Sequence, residues 1–82
     1  MLKIKDEVNL KELEKFGFKH HKPNPYSFDH YAVVVKTKYL MTQRLLIAVF
    51  VEDREIWVYD KKGLDILFEM IQSGLIEKVV EE

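Results

Sequence analysis

The side chains best suited to chemistry are three histidines, His20, His21 and His30, with Asp29 close by in the chain. Imidazole nitrogens and carboxylate oxygens are common zinc ligands. Adjacent histidines seldom both bind one metal, however, and no two histidines have the i, i+4 spacing that places them on one side of a helix. We therefore expect solvated histidines in a loop, with no bound metal and no other cofactor.

No other set of residues has the spacing of a catalytic group. Ser27 and Ser73 lack a base and an orienting group at recognisable positions, and a catalytic triad needs both. The adjacent carboxylates of Glu52 and Asp53 fall where a solvated charged turn is expected. The three glycines are too scattered to form a phosphate-binding loop. The sequence therefore predicts a protein that is not an enzyme.

Aromatic and basic side chains alternate through the middle of the chain. On a sheet, such rings can stack the bases of a single-stranded nucleic acid while the cations hold its phosphates. The candidate contacts are Tyr31, Tyr39, Lys36, Lys38, Arg44 and Arg54. The chain has 13 basic and 14 acidic residues, and this balance is unusual for a protein dedicated to nucleic acid. Nucleic-acid binding is therefore the alternative function, and packing within the sheet is the simpler explanation of these residues.

An apolar run at residues 45–51 and the segment EIWVY at residues 55–59 flank the charged residues 52–54. This pattern predicts two strands joined by a tight turn. In the first strand both faces are apolar, because side chains alternate along a strand. One face would carry Leu45, Ile47, Val49 and Val51, and the other Leu46, Ala48 and Phe50. Helices can cover one face only, so the other face needs a second layer or a partner.

The unpaired apolar surface predicts a protein-protein interface. Tryptophan and tyrosine are frequent among the residues that dominate binding energy. The interface candidates are Trp57, Tyr59, Phe50, Ile66 and Met70. We expect one of Trp57 and Tyr59 to face the helices and the other to be the exposed anchor. The partner would be a second copy, giving a homodimer, or a different protein.

Two helices are expected from their end signals. Asn9 is a typical N-cap for the first helix, which Gly17 would end in a left-handed conformation. Asp60 is a typical N-cap for a second helix over Lys61 to Ser73, and Gly74 would end it in the same way. The buried stripe of the second helix would consist of Leu64, Leu67, Phe68 and Ile71, widened by Ile66 and Met70.

The remaining segments predict strands and one long loop. Residues 2–5 alternate apolar and basic side chains, as a short strand does, and the tail from residue 76 could pair with them. Residues 19–27, which include two prolines, are expected to form a loop. Residues 28–38 are expected to form an outer strand whose end is polar.

Composition limits the class of protein. With 82 residues the chain is expected to be one domain, residues 1–82. It has no cysteine, so disulfides and thiolate metal sites are excluded, which is compatible with the cytosol. Its start is too charged for a signal peptide, and no apolar run reaches the length of about 20 residues that spans a bilayer. We expect a cytoplasmic protein with no membrane partner.

Both ends of the chain resemble small, uncharacterised proteins encoded by phages and prophages of Gram-positive bacteria. The similar segments are residues 3–18 (KIKDEVNLKELEKFGF) and residues 67–79 (LFEMIQSGLIEKV). The resemblance carries no activity and no functional residue to this chain. It implies a protein of the bacterial cytoplasm that acts on a host protein. Phage inhibitors of bacterial defence, including anti-CRISPR proteins, are by analogy compact binders without catalytic groups.

Together these observations predict an α+β domain: a helix, a three-stranded antiparallel meander and a second helix, with short terminal strands that could extend the sheet. The predicted function is non-enzymatic protein-protein interaction.

Overall fold

The structure, a computed structural model, describes residues 1–36 and 43–79. It confirms the α+β class with antiparallel sheets. The elements, in chain order, are β1 (Leu2–Ile4), a 3₁₀-helix (Leu10–Phe16), β2 (Lys19–His21), β3 (His30–Lys36), β4 (Gln43–Phe50), β5 (Ile56–Val58), α1 (Lys61–Gln72) and β6 (Ile76–Lys78).

The main sheet has four strands in the order β2-β3-β4-β5, so the predicted three-stranded meander is one strand short. The missing strand is β2, in a segment that was expected to be a loop. It pairs with β3 through His20 opposite Tyr31 and His21 opposite His30. The sequence of β2 is polar and has no apolar alternation, and its extended conformation depends on hydrogen bonding to β3.

The two chain ends pair with each other, but they do not continue the main sheet as further strands. β1 and β6 form a separate two-stranded antiparallel sheet in which Ile4 lies opposite Ile76. A bridge between Lys3 and Glu55 connects this small sheet to the region of β5. Ile4 is fully buried, so the small sheet contributes to the same core as the main sheet.

A β-bulge interrupts the expected alternation of β4. Val33 lies opposite Ile47 and Val34 opposite Leu45, so Leu46 has no partner residue on β3. An extra residue in one strand changes the direction of the side chains beyond it. Leu46 therefore joins Ile47 in the buried core, whereas the strand pattern placed the two on opposite faces.

The core lies between the main sheet and the two helices. It includes Ile47 and Val49 from β4, Tyr31 from β3, Leu13 from the 3₁₀-helix and Met70 from α1. Two layers of this kind bury one face of the sheet, and no helix of the described residues covers the other face.

Both helices end as the sequence predicts. The side chains of Asn9 and Asp60 accept hydrogen bonds from the backbone N–H groups of residues 11 and 62, at 3.0 Å each. Gly17 and Gly74 have φ values of 94° and 77°, the left-handed conformation that glycine adopts without a steric penalty.

The buried face of α1 differs from the predicted stripe. Gly63 is buried against the backbone of Leu46, so closely that a Cβ atom on Gly63 would lie 2.3 Å from the Leu46 carbonyl oxygen. This contact determines the rotation of the helix. The inward side chains are those of Ile66, Leu67 and Met70. The remaining apolar side chains of the helix, Leu64, Phe68 and Ile71, are exposed.

Candidate functional site

The face of the main sheet opposite the helices carries a groove of about 550 Å³. Its apolar surface comes from four aromatic side chains, Phe28, Phe50, Trp57 and Tyr59, and from Val51. Its remaining lining residues are acidic: Asp29, Glu52, Asp53 and Glu55. We call this feature the aromatic groove. Phe28, Trp57 and Tyr59 are 76%, 48% and 51% exposed, so about half or more of each side chain is available to a partner.

Strand β5 and the residue that follows it place Trp57 and Tyr59 on the same side. Ile56 and Val58 pack against the core, and side chains two residues apart in an extended chain point the same way. The expectation that only one of Trp57 and Tyr59 would be exposed is therefore wrong. Both line the aromatic groove, and Phe50 joins them from the neighbouring strand.

The charged turn between β4 and β5 shapes the acidic side of the groove. Asp53 accepts a hydrogen bond from the backbone N–H of Glu55 at 2.9 Å, which holds the turn. Glu55 in turn accepts a hydrogen bond from the Trp57 indole N–H at 3.2 Å and so orients the ring. Arg54 has a left-handed φ of 61° and directs its side chain elsewhere, to the backbone carbonyls of Lys5 and Val8.

The other interface candidates lie away from the groove. Met70 is fully buried in the core and is therefore unavailable to a partner. Ile66 is partly buried and packs against the same core. Both were chosen because the helix stripe is wide, but the rotation of α1 turns these two side chains inward. The exposed members of the stripe are Leu64, Phe68 and Ile71.

The candidate nucleic-acid contacts that the structure describes do not come together as one surface. Tyr31 is 6% exposed and belongs to the core, with the His20 ring stacked on it at a centroid distance of 4.6 Å. Arg54 donates to the carbonyls of Lys5 and Val8, and Arg44 forms an ion pair with Asp60. Lys36 is exposed at the end of β3. Tyr39 and Lys38 lie outside the described residues.

The histidines are arranged in pairs on β2 and β3. The His21 and His30 rings stack at a centroid distance of 4.9 Å, and His20 Nε2 lies 2.5 Å from the Asp29 carboxylate. Burial lowers the pKa of His21 below its usual value, and the charges of His30, His20 and Lys19 lower it further. His21 Nε2 is buried and has no hydrogen-bond partner among residues 1–36 and 43–79.

In the described part of the chain, no three His, Asp or Glu side chains lie close enough to hold a metal ion. That the histidines bind no metal stays a prediction, which zinc titration of the purified protein would test.

Two features of the surface were not identified from the sequence. Phe28 was assigned to a strand, but it precedes β3 and contributes the most exposed ring of the groove. The exposed flank of α1, formed by Leu64, Phe68 and Ile71, was assigned to the core. Close packing of a helix on a sheet favours a residue without a side chain at the contact. A helical projection that placed Gly63 against the sheet could therefore have identified this flank as exposed.

Comparisons of the chain with known protein families, curated proteins and solved structures found no match. The resemblance to phage and prophage proteins therefore stays a prediction. Among the described residues, no helix is both long and apolar enough to cross a membrane.

Proposed function

We propose that this protein is a non-enzymatic interaction module that binds another protein through the aromatic groove. The observation that carries the proposal is the exposure of Trp57, Tyr59 and Phe28 around one concave surface of the sheet. Soluble monomers rarely expose several large apolar side chains together unless the surface is used for binding.

The shape and composition of the groove fit this use. Tryptophan and tyrosine bury a large area with few rotatable bonds, and they are frequent at the energetic centre of interfaces. The indole of Trp57 is held by Glu55, so little side-chain entropy is lost when a partner covers it. A partner protein of the bacterial cytoplasm, such as a component of host defence, is the interpretation that the resemblance to phage proteins favours.

The same surface disfavours the nucleic-acid alternative. Phosphates need basic side chains, whereas the described charged residues that line the groove are all acidic. Among the candidate basic contacts, Arg44 and Arg54 already bind groups within the protein.

The proposal is tested by affinity capture with three matched proteins: the wild type, Trp57→Ala and the control Phe68→Ala. Phe68 is 60% exposed on α1, so both variants remove an exposed aromatic ring and neither should unfold the domain. We expect partners to be retained by the wild type and the control but lost with Trp57→Ala. With a purified partner, the Trp57→Ala variant should weaken binding by about 2 kcal/mol or more, about 30-fold in Kd.

Light scattering over a dilution series measures self-association of the same three proteins. A dimer that only Trp57→Ala disrupts would identify a second copy as the partner. Equal capture by the wild type and Trp57→Ala would contradict the proposed role of the groove. Saturable, strongly salt-dependent binding of single-stranded oligonucleotides by a protein that captures no partner would favour the nucleic-acid function instead.

A further inference from the structure

Among the described residues, the charged side chains that line the aromatic groove are all negative. They are Asp29, Glu52, Asp53 and Glu55, and no lysine or arginine of residues 1–36 and 43–79 joins them. The chain as a whole has a formal net charge of −1, so this is a local excess and not a property of the whole surface. Of the four carboxylates, Asp29 has a nearby histidine, His20, as a partner.

The other three carboxylates have no cationic partner in the part of the chain that the structure describes. Within residues 1–36 and 43–79, Glu52, Asp53 and Glu55 take part in no ion pair. Asp53 and Glu55 accept hydrogen bonds from N–H groups that carry no charge, those of the Glu55 backbone and the Trp57 indole. These carboxylates rely on water for the rest of their solvation.

This arrangement limits what can cover the groove. A wholly apolar partner would displace water from the carboxylates and offer no opposite charge, and burial of an uncompensated charge is costly. A lysine or arginine satisfies both parts of the surface. Its alkyl stem can pack on the aromatic rings while its charged end reaches the carboxylates. An arginine can also stack on the face of Trp57 through a cation–π contact.

We infer that the occupant of the aromatic groove is a basic segment of a different protein, with an arginine or lysine side chain over Trp57 and Tyr59 and its charge beside Glu52 and Glu55. The inference rests on the proposed function, because it names the chemistry of the partner that the same groove would bind.

In the test, linear peptides that bind the immobilised wild-type protein are selected from a random display library. Peptides that also bind the Trp57→Ala protein are removed by counter-selection. Each selected peptide is then measured by the fluorescence of Trp57, which is the single tryptophan of the chain. The affinity is compared between a double variant, Glu52→Gln with Glu55→Gln, and a control, Glu14→Gln with Glu69→Gln. Glutamine at position 55 keeps an acceptor for the Trp57 indole.

The control removes the same number of charges from two exposed positions on the 3₁₀-helix and α1, away from the groove. We expect peptides that require Trp57 to be rich in arginine or lysine. Their affinity should fall at least about tenfold in the double variant and little in the control. Rising salt concentration should weaken their binding to the wild type.

Each contrary result has a distinct meaning. Trp57-dependent peptides without basic residues, or equal binding by the double variant and its control, would overturn the inference and leave the proposed function standing. The absence of any Trp57-dependent peptide would overturn both. A dimer in solution that Trp57→Ala disrupts would assign the groove to a second copy of the chain. It would overturn the inference that a basic segment of a different protein occupies the groove.

Discussion

Substitution of Gly63 by alanine is the sharpest test of how α1 is seated on the sheet. Gly63 lies in the first turn of α1, directly over β4. An ideal Cβ at this position would lie 2.3 Å from the Leu46 carbonyl oxygen, 3.0 Å from its carbon and 3.2 Å from Val58 Cγ1. The first two atoms belong to the backbone, so no rotamer change relieves the contact. The helix would have to move away by about 1 Å before the oxygen reached an ordinary contact distance.

Two opposing effects determine the size of the change. Overpacking in a core costs typically about 1–3 kcal/mol. Because the clash at this site is with backbone atoms, which cannot rotate away, its cost lies at the upper end of that range. Alanine gains at most about 1 kcal/mol over glycine through helix propensity. The free energy of unfolding should therefore fall by about 2 kcal/mol, which lowers Tm by about 8–16 °C in a domain of this size.

Urea unfolding followed by circular dichroism measures the change, with Gly74→Ala as the matched control. Position 74 also favours glycine, because its φ is 77°, but a Cβ there would meet none of the described atoms within 4 Å. Its substitution should cost only about 1 kcal/mol, from backbone strain alone. If Gly63→Ala were as stable as the wild type, or more stable, α1 could not be seated on the Leu46 carbonyl as described.

Two further predictions concern side chains that affect the stability of the fold. Arg54→Ala should destabilise the fold by about 2–3 kcal/mol in urea unfolding, because the guanidinium donates to two backbone carbonyls at 2.8 and 2.7 Å. The control Arg44→Ala removes the exposed member of the ion pair with Asp60 and should cost less than about 1 kcal/mol. A loss no larger than that of the control would contradict the structural role of Arg54. The lowered pKa of His21 means that its imidazole resists protonation in the folded protein but protonates near pH 6.5 in the unfolded chain. The neutral His21 imidazole therefore makes its full contribution to the free energy of unfolding above about pH 6.5. This contribution is lost as the pH falls toward the pKa of His21 in the folded protein. Unfolding free energies measured from about pH 7.5 to about 5.5 should show this decline in the wild type and less of it in His21→Phe, and parallel profiles would refute it.

Local signals in the sequence predicted the helix ends correctly. Asn9, Gly17, Asp60 and Gly74 act within a few residues of themselves, through a side chain that accepts from a nearby N–H or through a left-handed glycine. The charged turn after β4 belongs to the same class, since Asp53 bonds to the backbone two residues on. Interactions of this range involve only neighbouring residues, so they can be predicted without knowledge of the fold.

Tertiary contacts decided the features that the sequence left open or predicted wrongly. β2 is extended because β3 provides its hydrogen-bond partners, and nothing in its own polar sequence requires a strand. The bulge at Leu46 depends on how β3 and β4 align, so alternation along β4 alone could not place it.

The candidate site shows the same division between local and tertiary information. The sequence by itself determined that β4 is apolar on both faces and that Trp57 and Tyr59 follow it, and so that the helices could cover only part of this apolar surface. Only the tertiary structure showed that Phe28, from a distant segment, joins these rings and that acidic side chains surround them. The apolar residues of α1 cover more than one side of the helix, so periodicity admits several rotations. The close contact of Gly63 with Leu46 selects one of them, and this is why Met70 is in the core and Phe68 is at the surface.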